Sequence, residues 1–239
     1  MPALLASVRS LAEARLAATE GCDWLDLKEP REGALGAPDP AVVRAVVGEF
    51  SAQLPVSATI GDCWDTPREI PHRVAAHATG RVPWVKFGLF RRCLDDAFCA
   101  ALRQAVGCGP RLIAVNFAED PLDAAGIARL AELGLAGVML DTADKAAGSL
   151  TRHLSLERLR EFVCAARAHG LIVGLAGSLR AADIPALAAL APDYLGFRGA
   201  LCMGSRTDAL DLHALRDIRG RLTASSETRV EEGAAHGVA

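Results

Sequence analysis

Eight short apolar runs with β-branched or aromatic content recur along the chain. They start near Ala3 (ALLASV), Asp23 (DWLDLK), Pro55 (PVSATIGD), Trp84 (WVKFG), Leu112 (LIAVN), Gly137 (GVMLD), Ile172 (IVGLAG) and Tyr194 (YLGFRG). Between them the apolar positions fall at helical spacing. In Pro40–Phe50 these are Val42, Val43, Val46, Val47 and Phe50; in Leu156–Ala168 they are Leu156, Leu159, Phe162, Val163 and Ala166. Ser155 is a good residue to cap the second of these helices, and Pro121 behind Asp120 predicts another helix start. Strand then helix, eight times over, predicts one single-domain (β/α)8 TIM barrel over residues 1–222. An open doubly wound sheet would want a glycine-rich turn after the first strand, and Ser7-Val8-Arg9-Ser10 supplies none. The segment 223–239 (TASSETRVEEGAAHGVA) has little to bury and is expected to be a tail without fixed structure.

Composition narrows the class. Of 239 residues 51% are hydrophobic and 23% charged, a globular balance. A net charge of −3 carries no footprint for nucleic acid or a membrane surface. No apolar run approaches the roughly 20 residues of a membrane span, and Met-Pro-Ala-Leu-Leu-Ala has no basic region of a secretory leader. Seven cysteines without a C-x-x-C pair read as reduced, mostly buried thiols in a cytoplasmic protein. The histidines make no metal-ligand spacing, so no metal is expected.

The basic residues are lopsided: 23 are Arg and only Lys28, Lys86 and Lys145 are Lys. A chain that uses Arg for its surface cations keeps Lys where an amine must lose its proton. All three fall at the ends of predicted strands, where a barrel places its chemistry. Alternation puts Trp24, Asp26 and Lys28 on the inner face of the second strand, with Leu25 and Leu27 outside. It puts Trp84, Lys86 and Gly88 inside the fourth, and Met139 and Asp141 inside the sixth, with Lys145 following on the loop. Buried Asp–Lys pairs could merely close the barrel, but that is a costly filling for one volume. An amine lowered by burial and neighbouring cations attacks carbonyls, and the imine it forms acidifies the next carbon. Carboxylates and a second amine then move protons. This is the logic of a class I aldolase.

After the seventh and eighth strands come Gly174-Leu-Ala-Gly-Ser-Leu179 and Gly196-Phe-Arg-Gly-Ala-Leu201. Loops there form the usual phosphate site of this fold, which points to Gly177, Ser178, Gly199 and Ala200 as backbone donors. Arg198 is expected to be a second phosphate contact or to bridge Asp26 or Asp141.

The segment Leu25-Asp-Leu-Lys-Glu-Pro-Arg-Glu-Gly-Ala-Leu-Gly-Ala37 resembles the signature of the (5-formylfuran-3-yl)methyl phosphate synthases, also called 4-(hydroxymethyl)-2-furancarboxaldehyde-phosphate synthases, of methanofuran biosynthesis. So do Val56-Ser-Ala-Thr-Ile-Gly-Asp62, Val85-Lys-Phe-Gly-Leu89, Met139-Leu-Asp-Thr-Ala143 with Lys145, Leu175-Ala-Gly-Ser-Leu179 and Gly196-Phe-Arg-Gly-Ala200. The resemblance runs from Leu4 to about Leu222 and implies a barrel enzyme that joins two molecules of glyceraldehyde 3-phosphate. The furan aldehyde phosphate forms with loss of one phosphate and water, without metal or organic cofactor. It implies that Lys28, beside Asp26, forms the imine, that Lys86 is the second catalytic lysine, and that Asp141 and Lys145 form a third catalytic group. The run LIAVNFA at Leu112–Ala118 departs from archaeal relatives, so no role is carried over to the fifth strand end. Another imine-forming aldolase or a non-catalytic phosphosugar-binding barrel would share many of these features. A homo-oligomer acting on a small triose phosphate completes the expectation.

Overall fold

The computed structural model describes residues 1–235, with side-chain surroundings through residue 225. Eight parallel strands close in sequence order: β1 (Ala3–Val8), β2 (Trp24–Leu27), β3 (Val56–Thr59), β4 (Trp84–Leu89), β5 (Arg111–Phe117), β6 (Gly137–Asp141), β7 (Ile172–Leu175) and β8 (Tyr194–Phe197). Each coincides with one of the eight apolar runs. The helices around them are α1 (Leu11–Thr19), α2 (Pro40–Phe50), α3 (Ile70–Thr79), α4 (Asp96–Val106), α5 (Ala124–Glu132), α6 (Leu150–His153), α7 (Leu156–Ala168), α8 (Ile184–Ala188) and α9 (Leu212–Ala235). The chain is thus a (β/α)8 barrel.

Helices α2 and α7 span the residues their periodicity predicts, and Ser155 Oγ caps α7 by accepting from Arg158 N. Helix α5 starts later than Pro121. Asp120 is occupied by Arg92 N, while Asn116 Oδ1 holds Leu122 N, so the cap passes to Asp123, which accepts from Gly126 N. Asn116 is therefore spent on the β5–α5 turn. Of the segment 223–239, residues 223–235 continue helix α9, and 236–239 lie outside the described residues. Among the described residues no helix is long and apolar enough to cross a membrane.

Alternation sorts the side chains into two cores. Leu25, Leu27, Val85, Phe87 and Leu140 face the helices. Leu5, Trp24, Trp84, Ile113, Val115, Met139 and Tyr194 fill the barrel. Trp24 packs on Trp84 and on Tyr194, with ring centroids 5.0 and 5.2 Å apart. Tyr194 fits only because Gly174 faces it: a Cβ there would lie 2.1 Å from the ring. This aromatic layer is the floor on which the polar end is built. Over β3–β5 a second aromatic cluster, Trp64, Phe90 and Phe117, covers the mouth. The polar opening is left to the β6–β2 side.

Candidate active site

The strand register assembles the lowest polar layer. Ser7 pairs with Asp26 between β1 and β2, and Asp26 with Ser57 between β2 and β3. All three point inward, so Ser7 Oγ donates to Asp26 Oδ2 at 3.2 Å and Ser57 Oγ donates to Oδ1 at 2.6 Å. Lys86 Nζ lies 3.0 Å from the same Oδ1 and 5.3 Å from the centroid of the Tyr194 ring. The sequence pairs Asp26 with its neighbour Lys28. The fold instead gives its ion pair to Lys86, because the β4 side chain runs inward across the barrel beneath Lys28. Lys86 is 1% exposed. Burial, and then Asp26, push the Tyr194 hydroxyl well above the ordinary tyrosine range, so it stays protonated.

Lys28 stands just past β2, above this layer. Burial pushes its amine down to about 8; Asp141 pulls it back up, Lys145 pushes it further down, Asp26 raises it and Arg206 lowers it. The cations bearing on Lys28 are therefore Lys145 and Arg206. Lys145 Nζ is in ion-pair contact with Asp141 Oδ1, which also accepts from Thr142 N at 2.7 Å. Burial opposes ionisation of Asp141, but Lys145 and Lys28 together hold its carboxyl below the usual range. The loop carrying Lys145 is shaped by Glu119, which accepts from Ala143 N and Asp144 N, and by Ser178 Oγ donating to Lys145 O.

One cavity of about 420 Å³ opens on these groups. Lys28, Asp141, Lys145, Gly177, Ser178, Arg198, Gly199 and Ala200 all line it, together with Ser7, Arg180, Gly204 and Arg206. Among the described residues, Asp26 and Lys86 lie under the cavity rather than on its wall.

The glycines Gly177 and Gly199, in the loops after β7 and β8, differ. Gly177 has φ +103°, and a Cβ on it would sit 2.9 Å from Thr142 Cγ2 and 3.0 Å from Thr142 N. Ser178 follows with φ +47°, an uncommon conformation for a residue with a side chain. Gly199 has ordinary backbone angles and space beside it, Arg206 Cβ being nearest at 3.9 Å from a built Cβ.

Arg198 does not reach Asp26 or Asp141. It forms a buried ion pair with Glu13, Nη1 to Oε2 at 2.5 Å and Nη2 to Oε1 at 3.3 Å. It also donates to Ser7 O, Arg206 O and Asp208 O. These contacts use all five guanidinium N–H groups, so none is left for an anion. The side chain is a post that fastens the 202–210 loop to the C-terminal end of β1. Sequence reasoning missed Glu13 and Arg206. Glu13 stands three residues after the cap Ser10, where an acid reads as ordinary helix capping. Arg206 lies in a polar loop whose spacing gives no signal.

The comparisons with known proteins fit this geometry. Residues 4–219 match the family described as 4-HFC-P synthase. A protein of Methylorubrum extorquens, provisionally named (5-formylfuran-3-yl)methyl phosphate synthase, is 45% identical over 212 residues, covering 88% of this chain and 87% of the relative. The (5-formylfuran-3-yl)methyl phosphate synthase of Methanopyrus kandleri is 34% identical over 232 residues, covering 91% of this chain and 97% of the relative. Among solved structures, the phosphoribosyl anthranilate isomerase of Thermus thermophilus superposes with TM-score 0.66 at 16% identity, covering 94% of this chain and 99% of that one. That likeness shows the fold alone. Fold, family match and full-length relatives agree, and the chain belongs to the (5-formylfuran-3-yl)methyl phosphate synthase family.

Proposed function

We propose that this enzyme condenses two molecules of glyceraldehyde 3-phosphate through an imine on Lys28, giving (5-formylfuran-3-yl)methyl phosphate for methanofuran biosynthesis. The observation that carries the reading is the Lys28 amine. It is lowered to about 8, stands on the cavity wall, and has the Asp141–Lys145 pair beside it. A neutral amine attacks the aldehyde carbon and loses water to the imine. The protonated imine draws electrons from C2, so a base on the wall can take the C2 proton. Asp141 and Lys145 line the cavity and are placed for that transfer. Asp26, beneath the cavity, favours the charged form of Lys28, and Lys86 is the ion-pair partner of Asp26.

The product fixes which bond forms. Its skeleton divides into three-carbon units in one way only, with C2 of one triose joined to C3 of the other. The electron pair released with the C2 proton makes that bond. The C3–O bond of the second triose breaks, and its pair leaves with phosphate. Ring closure and aromatisation release water, so that two trioses balance as product, one phosphate and two waters. The glycine loops after β7 and β8 suit the phosphate that is kept.

The test is direct. Protein and glyceraldehyde 3-phosphate are expected to yield a furan aldehyde absorbing in the near ultraviolet, with free phosphate. Borohydride added with substrate is expected to leave a triose-sized mass on the Lys28 peptide. Lys28→Arg is expected to be as inactive as Lys28→Ala, since a guanidinium forms no imine. Labelling only at Lys86 or Lys145 would overturn the assignment. A hydroxy aldehyde formed without phosphate release would make this a different aldolase.

A further inference from the structure

Two trioses bring two phosphates, and the glycine loops after β7 and β8 account for one. We propose that Arg206 binds the other, the phosphate that departs; this rests on the reading of Lys28 as the imine former. Arg206 rises beside Gly199, and its Nη2 donates to Gly33 O in the β2–α2 loop at 3.0 Å. Its guanidinium therefore spans from the β8 loop to the β2 side, where Lys28 stands. The Gly177–Ser178 turn, with exposed Arg180 near it, lies on the β7 side. A triose phosphate held on that side and linked to Lys28 leaves the Arg206 side for its partner.

The charge balance points the same way. Arg206 is half-buried on the cavity wall, yet among the described residues no carboxylate lies within ion-pair distance of it. A partly desolvated guanidinium without a counter-ion is costly unless a ligand supplies one. Of the other cations of the wall, Lys145 is committed to Asp141, Arg198 to Glu13 and Lys28 to the reacting carbonyl, while Arg180 is exposed and stands on the β7 side. Burial lowers Arg206 while Asp141 raises it, so it lies within the field of the reacting groups. Its loop is held firmly. Arg198 Nε binds Arg206 O at 2.8 Å, Arg198 Nη2 binds Asp208 O at 2.8 Å, and Ser205 N donates to Asp208 Oδ2 at 2.6 Å. A planar guanidinium so placed can take two phosphate oxygens at once and neutralise the charge that grows as the C3–O bond breaks.

The experiment titrates inorganic phosphate into the full chain by calorimetry, and measures furan formation and borohydride trapping in parallel. The wild type is expected to bind two phosphates per chain, and Arg206→Gln one. In Arg206→Gln the glyceraldehyde 3-phosphate concentration for half-maximal furan formation is expected to rise about tenfold or more. Arg206 lowers the Lys28 amine, so trapping is compared on the alkaline plateau, where the amine is neutral in both proteins; there it is expected to stay within about twofold, because the first triose makes no contact with Arg206. Arg206→Lys keeps the charge and the stem beside Gly199, and is expected to keep both phosphates with weaker affinity at one. Phosphate binding by Arg206→Gln equal to wild type would overturn the proposal, and so would trapping lost in proportion to furan formation. If wild type forms no imine at Lys28 while Arg206→Gln still loses one phosphate, the reading of Lys28 fails and the Arg206 site stands.

Discussion

At the scale of single residues, Lys28 has the most to say. On the proposed reading the neutral amine is the nucleophile, so the rate of borohydride trapping is expected to rise with pH and to level off above about 8. An unperturbed lysine would go on rising toward 10.5. The neighbours set the sign of two further shifts. Asp141 is the strongest charge holding Lys28 protonated, so Asp141→Asn is expected to move the midpoint to lower pH. Lys145 acts the other way, and Lys145→Met is expected to move it to higher pH. Trapping rates across pH 6–11 check all three; a midpoint that neither variant moves would show that burial alone sets it. The sequence made these three lysines visible through an unusual composition, since an Arg-rich chain keeps Lys for a reason. It could not show the pairing. Asp26 is two residues from Lys28, but which amine reaches its Oδ1 depends on strand register and on how far a β4 side chain extends across the barrel. For the same reason Arg198 reads as an anion contact, although its five donors are spent on Glu13 and three carbonyls.

At the scale of elements, strands were legible because each is a short apolar run, and in β1, β2, β3, β4 and β6 polar residues alternate to the inside. Helices α2 and α7 were legible from period and cap. The start of α5 was not, since Asp120 and Asp123 are both good caps and only the tertiary contacts of Asp120 and Asn116 choose between them. The loops after β7 and β8 show the same limit. Gly177 and Gly199 occupy equivalent places in the sequence pattern, but only Gly177 has a left-handed backbone and a neighbour in the way. Gly177→Ala is expected to press on Thr142 and tilt Asp141 beside it. Stability in urea unfolding should fall by about 1–2 kcal/mol and kcat/KM by about tenfold or more. Gly199→Ala has room, and its stability is expected to stay within about 0.5 kcal/mol of wild type. Equal damage from both substitutions would mean that the loops depend on glycine for close approach to the ligand and not for their own conformation.

At the scale of the whole molecule, a barrel must join its first strand to its last, and here the seam is also a wall of the candidate active site. Strand β1 pairs with β8, and Glu13 of α1 reaches Arg198 across 185 residues of chain. Helix α9 adds Arg216 on Glu20 and Arg219 on Asp23, whose carboxylate also accepts from Leu4 N. The outer pairs are partly in water and contribute little each. The Glu13–Arg198 pair is buried at 8% and 5% exposure, so removing one partner is expensive. The two partners are not equivalent. Glu13→Gln leaves Arg198 still bonded to Ser7 O, Arg206 O and Asp208 O, and is expected to cost about 3 kcal/mol. Arg198→Met leaves the buried Glu13 carboxylate with Arg9 alone and takes the donor from three carbonyls together, and should cost more, toward about 5 kcal/mol. The double variant Glu13→Leu with Arg198→Met removes the stranded charge but not the orphaned carbonyls. It should therefore recover part of the loss in thermal unfolding and none of the phosphate affinity, because the 202–210 loop has lost its post. Wild-type phosphate affinity in a folded double variant would show that the loop holds its shape without Arg198. The seam would then serve stability alone.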